Sequence, residues 1–68
     1  MDDIKPNEIE TWTDQNNVKY ILASYGEKFI FQVFDNDAEK YLWTVTSRQR
    51  APIERRYRET VQKVRRAE

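Results

Sequence analysis

Two runs of β-branched and aromatic residues, Val18–Tyr25 and Lys28–Phe34, flank the dipeptide Gly26-Glu27. Gly26 is the only glycine in the chain. It stands where a two-residue type II′ hairpin turn requires a positive φ. That turn sets the register: Tyr25 pairs with Lys28, Ser24 with Phe29, Leu22 with Phe31 and Tyr20 with Val33. Side chains alternate along a strand, so one face carries Tyr20, Leu22, Phe29, Phe31 and Val33. The other carries Lys19, Ile21, Ala23, Tyr25, Ile30, Gln32 and Phe34.

After the polar stretch Asp35–Glu39, Tyr41–Thr46 reads as a further strand. A three-residue loop puts Trp43 and Val45 on the first face, and a four-residue loop puts Leu42 and Thr44 there. A one-residue slip exchanges the two sets. Ile9–Asp14 reads as a strand in preference to a short helix. It joins Val18 through Asn16-Asn17, with Asp14 opposite Lys19 and Trp12 beside Ile21. Residues 1–8 read as a flexible polar tail and 9–68 as one small domain.

From Pro52 onward the period changes. Ile53, Tyr57, Val61 and Val64 form one apolar stripe at helical spacing. Pro52 suits a first helical turn, Glu54 an early position, and Lys63, Arg65 and Arg66 the last turns. Glu54–Arg58 and Glu59–Lys63 have the favourable i,i+4 order. The stripe is expected to pack on Tyr20, Leu22, Phe31 and Val33. The predicted fold is α+β: a small antiparallel meander of three or four strands, then one amphipathic C-terminal helix on one sheet face.

One helix covers one face. The second face, with Ile21, Tyr25, Ile30 and Phe34 and with Trp12 alongside, alternates poorly to polar residues. An apolar patch of this kind marks an interface, unless the N-terminal segment folds back over it. The interface is the preferred reading, and self-association through this face is its most economical form.

Composition then narrows the chemistry. The 68 residues include no Cys and no His, which removes disulfide scaffolds, thiol nucleophiles, zinc fingers and His-based triads. One glycine cannot build a phosphate-binding loop. Asp35, Asp37 and Glu39 lack the glycine and distant bidentate Glu of an EF-hand. No catalytic residue, metal site or cofactor is therefore expected, and the chain reads as non-enzymatic. No run of about 18 apolar residues could span a membrane. The acidic start resembles no signal peptide, so a soluble cytoplasmic protein is expected.

Twelve basic residues balance twelve acidic ones, but unevenly. Residues 1–47 hold four Lys and nine acids, a net of −5, and residues 48–68 hold seven Arg, one Lys and three acids, a net of +5. Arg48, Arg50, Arg55, Arg58, Arg65 and Arg66 form a candidate basic patch, suited to an acidic protein surface or to phosphates. The same residues also serve as the solvated face of a helix. The preferred function is a small binding or regulatory module acting by protein–protein contact, the partner being another protein or a second copy. The alternative is nucleic-acid binding through the Arg cluster. Strands followed by a helix is a layout shared by unrelated proteins and carries no function by itself.

Overall fold

The computed structural model describes residues 6–68. Four strands, β1 (Asn7–Thr13), β2 (Val18–Tyr25), β3 (Lys28–Asp35) and β4 (Lys40–Ser47), precede one helix, α1 (Arg50–Ala67). The strands form a single antiparallel sheet in the order β1-β2-β3-β4. Residues 9–14 are thus strand rather than helix up to Thr13. The strand begins at Asn7, so Asn7 and Glu8 belong to the sheet and not to a tail. Residues 1–5 of that expected tail lie outside the described residues. No described helix is long and apolar enough to cross a membrane.

The central hairpin has the expected register throughout, from Val18↔Asp35 to Tyr25↔Lys28. Gly26 takes φ 60°, as the first central position of a type II′ turn demands. The two outer strands each depart from simple counting. Between β1 and β2, Thr13 pairs with Lys19 and Trp12 with Tyr20, one residue away from the expected Asp14–Lys19 register. The cause is Asp14, which is drawn into the turn. Its Oδ1 accepts the N–H of Asn16 at 2.9 Å and of Val18 at 3.0 Å, and its backbone N–H bonds to the Val18 carbonyl at 3.0 Å. Asn17 completes the loop at φ 63°, the left-handed residue that follows the turn in a three-residue hairpin loop.

Between β3 and β4 the loop is Asn36–Glu39, four residues, with Asp35 opposite Lys40. Simple counting would then place Leu42 and Thr44 on the face of Phe31. A register shift between Val33 and Phe34 intervenes, so that Phe34 faces Tyr41 but Val33 faces Trp43. This bulge makes Leu42 the extra residue and returns Trp43 and Val45 to the face of Val33 and Phe31. β1 carries a similar shift between Glu8 and Glu10. Bulges at both edges are a common way for a sheet to end its pairing.

α1 packs on that face. Ile53, Tyr57 and Val61 are buried with Tyr20, Leu22, Phe31 and Val33, and Trp12, Val18, Phe29, Val45 and Val64 pack around them. The helix begins two residues before Pro52, and no side chain caps its N-terminus. Glu54 therefore lies beyond the first turn, where the helix dipole adds little. It bridges Arg50 at 3.0 Å and Arg58 at 2.8 Å instead. Among the described residues no ion pair joins Glu59 to Lys63. The helix C-terminus is tied back to the first hairpin, where the Gln15 N–H donates to Glu68 Oε1 at 3.0 Å.

Candidate binding face

Among the described residues no strand or helix covers the second sheet face. β1 lies beside β2 as a fourth strand, so residues 7–13 do not fold back across this face. The expected interface residues are nonetheless not one exposed patch. Ile30 is only 8% accessible and Ala23 is fully buried. Ile21 and Phe34 are half-buried, while Tyr25 is exposed at the far end, beside the Gly26 turn. Trp12 is on the other face: it opposes Tyr20 with ring centroids 5.5 Å apart, and Arg65 lies 6.0 Å above its ring. The one-residue shift forced by Asp14 moves it there.

What remains at the β2–β3 centre of the open face is a groove of about 390 Å³. Ile21 and Phe34 form its floor together with Tyr41, whose ring meets Phe34 edge-on at 4.8 Å. Glu8, Lys19, Gln32 and Asn36 line it with polar groups. Lys19 reaches Glu8 at 3.5 Å. In the strand register Glu8 stands opposite Ala23, so this ion pair passes the level of Ile21. Tyr41 was not among the expected residues. Its place beside Phe34 follows from the four-residue loop, which sets Asp35 opposite Lys40 and Phe34 opposite Tyr41 before the bulge intervenes.

The other expected site, the Arg cluster, is spread over several surroundings. Arg50 and Arg58 share Glu54, whose carboxyl their hydrogen bonds hold below its ordinary range; Glu54 in turn raises the Arg58 guanidinium. Arg65 stacks on Trp12, and Arg56 lies 5.1 Å above the Trp43 ring. Arg48 joins Tyr25 and Lys28 around a hollow at the Gly26 turn. Arg55 and Arg66 are exposed on the helix and enter none of the ion pairs of the described residues. The helix and the groove lie on opposite sides of the sheet, so the helical arginines and the apolar floor do not form one surface.

The acidic loop is similarly occupied with structure. Asp35 Oδ1 accepts the N–H groups of Asp37 and Ala38 at 3.0 and 3.2 Å. Asp37 Oδ1 accepts the Asn17 amide at 2.9 Å, and the Asn36 N–H donates to the Asn17 carbonyl at 3.1 Å. These bonds knit the two loops at one end of the sheet. Among the described residues no group of three or more carboxylates is arranged to hold a metal ion.

Compared with known proteins, the chain matches no family model, no curated protein and no solved structure.

Proposed function

We propose that the protein is a small non-catalytic binding module. It works by protein–protein contact through the open face of the sheet, as a regulator, inhibitor or assembly component in the cytoplasm. The observation that carries this reading is the groove floored by Ile21, Phe34 and Tyr41. Its mixture of apolar floor and polar rim matches the anatomy of protein interfaces, in which aromatic anchors are ringed by polar groups. A cysteine-free chain needs no oxidising compartment to fold. The arginines of the helix, on the opposite side, add electrostatic steering toward an acidic partner rather than contact area in the groove.

The experiment compares wild type, Phe34→Asp and Arg55→Glu/Arg58→Glu as immobilised baits, after confirming that each has the same circular dichroism and melting behaviour. A protein retained by wild type across 50–500 mM salt and lost with Phe34→Asp supports the reading. Retention of nucleic acid alone, lost with Arg55→Glu/Arg58→Glu, supports phosphate binding by the Arg cluster instead. That binding would weaken with a log–log salt slope of about −0.9 per phosphate on duplex.

A further inference from the structure

The two edges of the sheet are unlike. β1 carries Glu8 and Glu10, follows Pro6 and is interrupted at Ile9. Charges, a nearby proline and a bulge are the devices that keep an edge strand from pairing with another chain. β4 has a bulge at Tyr41-Leu42, and beyond it Trp43–Ser47 runs in regular register with no charged residue. Trp43 there is still 41% exposed. An outer strand also presents the unpaired half of its backbone N–H and C=O groups to solvent.

We propose that β4 is a homodimer edge, on which a second copy of this chain adds its own β4 antiparallel about a two-fold axis at Val45. The register follows from geometry. An axis perpendicular to the sheet keeps each face on its own side, so opposed residues must share a face. Centring on Val45 uses the whole uncharged stretch Trp43–Ser47. Val45 then meets its own copy, Thr44 meets Thr46 of the second copy, and Trp43 meets Ser47. The threonine pairs are favourable cross-strand neighbours, and the small serine leaves room for the indole. No charged side chain opposes another within this stretch. Self-pairing along β1, by contrast, would bring Glu8 and Glu10 near their own copies. The result is an eight-stranded sheet closed by symmetry, with both grooves open on one side. The inference stands apart from the proposed function, since it uses the edge and leaves the groove free.

The chain has no Cys, so a single introduced thiol reports one position. With Val45→Cys, mild oxidation or a short bis-maleimide is expected to yield a covalent dimer at least tenfold faster than with Thr11→Cys on β1. Light scattering of the wild type over a hundredfold concentration range is expected to approach twice 8.3 kDa. Thr44→Lys/Thr46→Lys opposes lysine to lysine across the axis, and is expected to weaken the dimer at least tenfold. Thr11→Lys/Thr13→Lys, on β1, controls for added charge. A wild type monomeric throughout that range overturns the proposal. So does a dimer that withstands Thr44→Lys/Thr46→Lys, or one in which Val45→Cys links no faster than Thr11→Cys.

Discussion

Tyr20 donates its hydroxyl proton to Asp14 Oδ2 at 3.1 Å, beneath the first hairpin loop. Asp14, 9% accessible, is the one buried charged residue among those described. Its other oxygen caps the turn through Asn16 and Val18. One carboxylate thus fixes the loop that sets the β1 register and also satisfies the hydroxyl of a core tyrosine.

Asp14→Ala should therefore be the most damaging change outside the apolar core. It strands the Tyr20 hydroxyl and two turn N–H groups, and hydrogen bonds to charged groups contribute about 1.5–3 kcal/mol each. A loss of about 2–4 kcal/mol in urea unfolding is expected. Asp14→Asn, which keeps an acceptor toward the turn, should lose about half as much. Equal losses for the two variants would assign the effect to the Tyr20 contact alone.

Alkaline pH should unfold the domain early. The Tyr20 hydroxyl is pushed up to about 12, first by burial and then by Asp14. Tyr57 is also raised to about 12, first by burial and then by the Glu10 carboxylate. Both folded values exceed the ordinary value of 10. The native state consequently holds these protons more tightly than the unfolded chain, and stability falls as pH rises from 10 to 12. Chemical unfolding at pH 9, 10, 11 and 12 should show a progressive loss above pH 10. In Tyr20→Phe the slope should be shallower, because only Tyr57 remains coupled.

The β2–β3 hairpin was legible in the sequence because a single glycine marks its turn and nothing interrupts the ladder. The helix stripe was legible for a similar reason: Ile53, Tyr57 and Val61 have one periodicity and one place to go. The outer strands were harder, because a single polar residue or bulge resets every side chain beyond it. Asp14 turned Trp12 from the open face to the helix face, and the extra residue at Leu42 turned Trp43 the same way. The expected interface lost Trp12 and Ile30 and gained Tyr41. Face assignments along β1 and β4 depend on hydrogen bonds that pattern reading does not weigh.

Three positions with positive φ separate backbone strain from side-chain bonding: Asn17 at 63°, Gly26 at 60° and Glu39 at 54°. A left-handed residue other than Gly or Asn costs about 1–2 kcal/mol. Glu39→Gly should relieve most of that and raise the melting temperature by a few degrees, less the entropy of the freed chain. Gly26→Ala should cost about 1 kcal/mol through strain alone, since a Cβ there meets no atom within 4 Å. Asn17→Gly should not stabilise, because it removes the amide bonds to Asp37 and Asn36. Thermal melts of the three variants check the order.

Phe31 stands between two edge-on partners, Trp43 at 5.3 Å and Tyr57 at 5.8 Å, and is fully buried. This row of rings joins the edge strand, the sheet centre and the helix. Phe31→Ala should cost about 3–5 kcal/mol. A small domain holds roughly 0.05–0.15 kcal/mol per residue of net stability, about 3–10 kcal/mol for 68 residues, so that variant should lose a third or more of its stability. Phe31→Leu keeps an apolar filling but removes both edge contacts, each worth about 0.5–1.5 kcal/mol beyond area. It should remain folded, unfold at lower urea, and shift the tryptophan emission as Trp43 loses its partner. An unchanged emission together with the expected drop in urea midpoint would place the row's contribution at Tyr57 and not at β4.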